Sequence, residues 1–400
     1  MERDAAMGAV GRHFEALMEI GERPVGSAAG ARAEAYVEAA LAVAGFETAR
    51  AEYPCVDWRP GSCRLGSGGE ELPASANPYS PPVRASGPAL PVSSLEELED
   101  AEIEGAMLVL GPELCGFPIM PKLFEYYNPE EHRRLVSLIE AGKPAAVLAV
   151  SPHARGVWNV FNDPDLGVAS ATVPSTAAPR LARGSRLELE IEAEARPSRA
   201  ATVSGLLRRG PGVASGGRGR RLFCAHLDTK HYSPGALDNG ASVAALLAAA
   251  ELAASAAARG GGGAELEFVF YMGEECMAGG EKAWLAARGG AVGDIELAMN
   301  CDGAGGRPGP TSLCFFNFGE EEKAAVLGKA RSVGGFDEME RWYESDHYLF
   351  WPAGIPTIAA TSADPHRFDR LIHGPADLPG LVELGLVAEL ALLVAELARG

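Results

Sequence analysis

Three apolar runs in the second half of the chain each end in residues that can carry chemistry. The runs cover 222–225, 266–272 and 297–299, and the polar residues that follow are His226, Asp228, Glu274, Glu275 and Asp302. Short apolar runs bounded by turn residues are typical of buried strands. In open α/β sheets, ligands bind at the loops that follow the carboxyl ends of the strands. The sequence therefore predicts neighbouring strands that bring acidic groups to one edge of a sheet.

A further acidic residue, Asp238, lies between the Pro234-Gly235 turn and an alanine-rich helix that is expected to begin near 239–242. If all these carboxylates converge, each ionised pair at about 5 Å repels by roughly 3 kcal/mol at an effective dielectric of about 20. Bound cations make such a cluster tolerable. Histidine and carboxylate ligands without a paired-cysteine motif favour zinc in a catalytic site, or manganese or cobalt, over a structural zinc. A carboxylate that bridges two ions also explains why acids outnumber the ligands that one ion needs.

Six short motifs resemble, in family order, the zinc-dependent exopeptidases of the M28 aminopeptidase type. The motifs are 226–228, 235–240, 273–275, 300–302, 345–347 and 371–377. The resemblance implies a di-zinc exopeptidase, with Co²⁺ or Mn²⁺ as alternative ions, and a peptide or aminoacyl compound as substrate. It favours an aminopeptidase that removes N-terminal residues by means of a metal-activated water.

The resemblance also implies a role for each matching position. Asp238 bridges the two ions, Glu274 is the general base, and Asp228 orients a ligating imidazole. The other ligands are His226 and Asp302 for one ion, and Glu275 and His373 for the other. The peptide bond between Asp238 and Asn239 is expected to be cis, as is common in this family.

The segment 345–347 contains serine, aspartate and histidine, yet contiguous residues of an extended segment point to opposite sides and cannot form a catalytic relay. We interpret it as scaffold near the site, with Asp346 and His347 as candidate substrate-binding residues. Tyr343, which precedes it, is a candidate for stabilising an oxyanion. Packing explains the surrounding aromatic residues equally well.

Other functions stay open at this point. Relatives on the same scaffold include carboxypeptidases and glutaminyl cyclases, and receptor-type relatives that have lost metal ligands are inactive binding modules. Taken singly, an adjacent glutamate pair is usually solvated surface, and an Asp-Asn-Gly before a helix is usually a cap. The presence of both Glu274 and Glu275, together with every ligand of both ions, favours the two-metal hydrolase.

The net charge of −19 argues against nucleic acid or an anionic membrane as a partner. The run 241–258 contains Glu251 and is expected to be too weakly hydrophobic to span a bilayer. The charged start of the chain lacks the apolar stretch of a secretory signal, so a cytoplasmic location is expected. The sequence leaves a homo-oligomer open.

A chain of 400 residues suggests two domains. We predict an α/β catalytic domain from 1–57 and 200–400, with a central mixed β-sheet flanked by helices. A smaller inserted α+β domain, 58–199, resembles the protease-associated domain. Its first part, 58–91, is rich in glycine, proline and serine and is expected to be a boundary region. The glycine-rich stretches 210–219 and 260–263 are expected to be surface connections.

Overall fold

The computed structural model describes residues 2–126, 128–152, 159–208, 219–259, 264–368 and 371–399. The stretch 260–263, and 210–219 except its last residue, lie outside these ranges. The α-helices are α1 (Glu2–Ile20), α2 (Ala28–Val43), α3 (Leu95–Glu99), α4 (Glu130–Gly142), α5 (Ala241–Ala258), α6 (Gly279–Ala287), α7 (Glu320–Val333) and α8 (Leu384–Arg399). The strands are β1 (Glu47–Ser67), β2 (Glu70–Leu72), β3 (Ser75–Ala76), β4 (Val83–Val92), β5 (Met107–Leu110), β6 (Ala146–Ser151), β7 (Ser170–Pro174), β8 (Arg186–Leu207), β9 (Arg220–His226), β10 (Glu265–Tyr271), β11 (Ile295–Cys301), β12 (Thr311–Phe316), β13 (Phe336–Glu338) and β14 (Thr357–Ser362).

The chain divides into two compact units. The larger unit consists of Met1–Cys55 and Arg199–Gly400, and the smaller unit is Val56–Ser198. Strands β1 and β8 each continue from one unit into the other.

The larger unit is built on a mixed sheet with the strand order β13-β12-β14-β11-β9-β10-β8. The neighbours β10, β9, β11 and β14 run parallel, whereas β8 and β12 are antiparallel to β10 and β14. Both faces are covered, because Phe223 and Ala225 of β9 enter one hydrophobic cluster and Leu222 and Cys224 enter another. The predicted fold class, an α/β protein with a central mixed sheet flanked by helices, is confirmed.

Helix α5 follows the turn that carries Asp238 and lies in the core of the larger unit. An 18-residue window of the segment Ala236–Ala258 has a mean hydropathy of 1.7, enough for a membrane span by length and composition. The expectation that this run is too weakly hydrophobic is therefore wrong, because its alanine and leucine content outweighs Glu251. Of this window, 67% is buried, and α5 packs against α1 and α8. Its apolar character is thus used in the protein core.

The smaller unit has its own sheet, with the order β8-β4-β5-β6-β7-β3. Strands β4 to β7 are parallel, and the apolar face of α4 packs on β5 and β6 through Leu135, Val136 and Ile139. Residues 187–191 of β8 alternate between buried and partly or fully exposed positions, as a half-exposed strand should. The resemblance of this unit to a protease-associated domain stays a prediction.

The stretch 58–91 forms strands where the sequence predicts a boundary region. It holds the end of β1, the short strands β2 and β3, and most of β4. Glycine serves close packing there: a Cβ on Gly61 would lie 2.6 Å from the carbonyl oxygen of Glu192 on the adjacent strand. Composition alone cannot separate this use of glycine from its use in a loop.

Candidate metal centre

The carboxyl ends of three adjacent parallel strands define the site. His226 is the last residue of β9 and lies opposite Tyr271, the last residue of β10. On the other side, Cys224 pairs with Asn300 of β11, so Asp302 lies level with His226. The β10 strand leads directly into Glu274 and Glu275. Parallel pairing therefore brings these groups to one edge, where the sequence places them.

Two groups of potential ligands form at this edge and share Asp238. In the first group, His226 Nε2 lies 3.0 Å from Asp238 Oδ1 and 3.3 Å from Asp302 Oδ1. In the second, His373 Nε2 lies 2.9 Å from Asp238 Oδ2 and 3.5 Å from Glu275 Oε1. The ligand atoms within each group all lie within 4.8 Å of one another. Each oxygen of Asp238 thus faces one group. Both groups supply the nitrogen and oxygen donor atoms that a divalent ion such as zinc binds.

Asp238 is held by contacts that sequence reasoning did not assign. The carboxylate of Asp377 accepts hydrogen bonds from the backbone N–H of Leu237 at 2.7 Å and of Asp238 at 3.1 Å. The peptide bond between Asp238 and Asn239 is cis, which confirms the expectation from the family resemblance. The side chain of Asn239 donates to the Cys301 carbonyl at 2.9 Å, next to Asp302. The only sequence signal for Asp377 is its place at the end of the motif 371–377.

Arg23 is a second missed residue, and it is fully buried. Its guanidinium donates to the carbonyl oxygens of Leu227 at 2.7 Å, Pro234 at 3.1 Å and Gly235 at 3.0 Å. Burial lowers the pKa of Arg23 to about 10, so it stays charged at neutral pH. This side chain fixes both ends of the loop between β9 and Asp238. Its position in the break between α1 and α2 gives no local hint of that role.

Asp228 supports the site mainly through the backbone. Its carboxylate accepts from Gly273 N–H at 2.9 Å and from Glu275 N–H at 3.2 Å. His226 Nδ1 lies 3.2 Å from the backbone oxygen of Asp228 and 3.7 Å from its carboxylate. An Nδ1–H directed at that backbone oxygen leaves Nε2 free to bind a metal. Asp228 therefore orients His226 through its carbonyl and fixes the turn around Glu274 through its carboxylate.

Glu274 lies between these two anchored amides and is half-buried. Burial raises the pKa of its carboxyl group well above the usual value. The positive charge of His226 opposes this rise, and the negative charge of Glu275 adds to it. Lys230, a further residue that sequence reasoning missed, contacts Glu275 with Nζ 2.6 Å from Oε2.

The candidate substrate-binding residues lie in different environments. Tyr343 is 55% exposed, and its ring packs against Phe316 and Trp351. The ring of His347 is fully buried, with Nε2 2.8 Å from the Trp342 carbonyl, and burial lowers its pKa to about 4. His347 is therefore buried in this structure, and its role in substrate binding stays a prediction.

Asp346 is buried beside the carboxyl group of Glu281. Burial, followed by the negative charges of Glu281 and Glu274, raises the pKa of Asp346 well above its usual value. For Glu281, burial and the charge of Asp228 raise the pKa to about 7. The carboxyl group of Asp346 therefore borders the site from inside the protein.

The two imidazoles respond in the same direction to the carboxylates around them. Burial, the largest influence, lowers the pKa of His226, but Asp302 and the other nearby carboxylates outweigh it and raise the pKa well above 6.5. Burial also lowers the pKa of His373, and Glu275 and Asp238 raise it further than burial lowers it. Both groups therefore hold protons in the metal-free protein at pH values where a free histidine has lost them.

We expect binding of a divalent ion to weaken as the pH falls, beginning above pH 6.5. An ion binds neutral imidazole, so it must displace the protons of His226 and His373, whose pKa values are raised in the metal-free protein. Titration calorimetry in buffers with different ionisation enthalpies should show proton release at pH 7. An affinity that is constant between pH 8 and 6, with no proton release, would contradict this.

Comparison with known proteins agrees with the site geometry. Residues 213–398 match the model of Peptidase family M28. No curated protein sequence matches the chain. The fold is similar to that of an aminopeptidase from Aneurinibacillus sp. strain AM-1, at 17% identity and a TM-score of 0.72, covering 100% of this chain and 96% of that one. It is also similar to BSAP, a zinc aminopeptidase from Bacillus subtilis, at 16% identity and a TM-score of 0.72, with 100% and 95% covered.

A third similar structure is a peptidase M28 precursor from Shewanella amazonensis SB2B, at 17% identity and a TM-score of 0.75, covering 100% of this chain and 96% of that one. At such identities these likenesses establish the fold. Fold, ligand groups and family match together define the class of protein as a metallopeptidase. More particularly, the segment 213–398 is similar to the peptidases of family M28.

Proposed function

We propose that this metallopeptidase is a di-zinc aminopeptidase that removes N-terminal residues from peptides. The observation that carries the proposal is the position of Asp238, whose two oxygens lie 3.0 Å and 2.9 Å from the imidazoles of two separate ligand groups. A carboxylate in this position suits a bridge between two ions. Two proteins of similar fold are an aminopeptidase and a zinc aminopeptidase, which supports the activity and the metal.

The residues present fit the metal. Each group supplies one imidazole and two carboxylates, the ligand types of catalytic zinc, and the crowded acids call for positive charge. Two bound ions would supply the charge that polarises the scissile carbonyl and makes a water molecule more acidic. His226 and Asp302 would hold one ion, Glu275 and His373 the other, with Asp238 between them.

Glu274 would move the proton. Asp228 accepts hydrogen bonds from the amides of Gly273 and Glu275, on either side of Glu274. The backbone of Glu274 is therefore held in place, and its carboxylate extends from a fixed position beside the two ligand groups. The raised pKa of Glu274 makes its ionised form a stronger base for removing a proton from the attacking water. The same carboxyl group then donates that proton to the departing amine.

A substrate panel tests the proposal. Chelator-treated protein, and the same protein resupplied with Zn²⁺, Co²⁺ or Mn²⁺, is assayed with aminoacyl chromogenic substrates and their N-blocked counterparts. We expect turnover only with added metal and a free amine, and about two ions per chain by elemental analysis. If only the N-blocked substrates are turned over, the protein is a hydrolase but not an aminopeptidase. A two-ion protein without any turnover would favour a binding role.

A further inference from the structure

The two ligand groups differ in one fixed charge. Lys230 lies in the loop after β9, and its Nζ contacts Oε2 of Glu275 at 2.6 Å and donates to the backbone oxygen of the same residue at 3.0 Å. The Lys230 side chain is only 13% exposed, so water screens this charge weakly. Among the described residues, the carboxylate of Asp302 in the other group has an ion pair with His226 but none with a lysine or arginine.

Lys230 also restricts how Glu275 can bind an ion. Oε1 of Glu275 faces His373 at 3.5 Å, whereas Oε2 is occupied by the ammonium group. With Lys230 in place, Glu275 therefore offers one oxygen to the group that contains His373. Without it, both oxygens could turn toward the ion.

The charges of the ligand carboxylates, and of the two acids next to them in the chain motifs, favour the same role for Lys230. These carboxylates are Asp228, Asp238, Glu274, Glu275 and Asp302. With neutral imidazoles, these five negative charges are balanced by the ammonium of Lys230 together with two divalent ions. Without the ammonium, the same two ions would leave one negative charge in a buried site, where charge interactions are strong. Lys230 thus lowers the attraction of the site for the second ion.

We propose that Lys230 is a positioning residue that makes the two metal sites unequal, by weakening the binding of a divalent ion between His373, Glu275 and Asp238. This inference rests on the proposed two-ion function. It adds the prediction that the ion held by His373 and Glu275 exchanges more readily than the ion held by His226 and Asp302. Two effects of Lys230 oppose each other. Its hydrogen bonds orient Glu275, which favours metal binding, and its charge repels the ion, which opposes it. The proposal states that the charge dominates.

Three variants of the full chain separate charge from orientation. Lys230→Arg keeps the charge, Lys230→Gln keeps a hydrogen-bond donor without the charge, and Lys230→Met removes both at similar length. Each metal-free protein is titrated with Zn²⁺ by calorimetry and with Co²⁺ by visible absorption. If orientation of Glu275 dominated, loss of the group that contacts it would lower the affinity, typically by about 10- to 100-fold. A tightening of similar size therefore shows that the charge dominates. We expect the weaker step to tighten by at least about tenfold in the Gln and Met variants, and to stay as in wild type in the Arg variant.

Two further measurements complete the experiment. His373→Ala should lose the weaker step and retain the tighter one, which assigns the steps to the two groups. Thermal unfolding of each metal-free variant identifies any protein that fails to fold. If the Met variant fails to fold, the comparison of the Gln and Arg variants still separates charge from orientation. A weaker step that is unchanged or looser in the Gln variant overturns the inference alone. A wild-type chain that binds fewer than two ions overturns the proposed function and this inference with it.

Discussion

The Glu274→Gln variant should retain its fold and both metal ions and lose activity by about 10² to 10⁴ or more, the contribution of one general base. Glutamine preserves the size of the side chain and cannot accept a proton at neutral pH. Glu274 belongs to neither ligand group, so metal binding should not need its charge. The measurements are kcat with an aminoacyl substrate and the metal content of the purified protein.

The neighbouring residue provides a matched control. Glu275→Gln makes the same chemical change one position along the chain, but Glu275 lies in the group with His373. We expect this variant to lose one ion as well as activity. If Glu274→Gln instead loses an ion, Glu274 is a ligand and the base must be sought elsewhere.

The Asp238→Asn variant should affect both metal sites at once. A neutral amide in this position removes the negative charge that each imidazole faces, at 3.0 Å from His226 and 2.9 Å from His373. Burial raises the pKa of Asp238, but hydrogen bonds from the two imidazoles outweigh it and hold the pKa well below the usual range, so a full charge is lost. We expect less than one tightly bound ion per chain and activity near background. Elemental analysis after dialysis and the substrate assay measure these effects.

A variant that changes only one ligand group shows whether Asp238→Asn loses metal because Asp238 is shared by both groups. His373→Ala removes a member of one group only and should leave about one ion bound. If Asp238→Asn still binds two ions with wild-type affinity, the carboxylate of Asp238 is not shared and the di-metal proposal is wrong.

The sequence could predict the parts of this site that depend on local patterns. Apolar runs that end in acids identify strands, and parallel pairing then places His226, Glu275 and Asp302 at one edge without knowledge of the contacts. The helix entry at Asp238 follows from its turn residues. These predictions needed only spacing and the rule that such strands present their carboxyl ends together.

Residues that act through distant contacts could not be found in this way. Arg23 bonds to carbonyl groups more than 200 positions away, and Asp377 bonds to amides 139 and 140 positions away. Neither residue has a neighbour in sequence that reveals its partner. Lys230 lies two residues after the first motif, 226–228, but its contact with Glu275 depends on how two loops fold against each other. Burial of His347 likewise follows from packing against Phe316 and Trp342.

The contacts of Arg23 have a practical consequence for dissecting this protein. The segment that matches the family model, 213–398, includes the predicted ligands but excludes the guanidinium that fixes the loop between β9 and Asp238. An expression clone trimmed to that segment would leave three carbonyl oxygens of the loop without their donor. The metal centre therefore depends on residues that range from Arg23, between α1 and α2, to His373. A shortened protein that is still active must retain the first two helices.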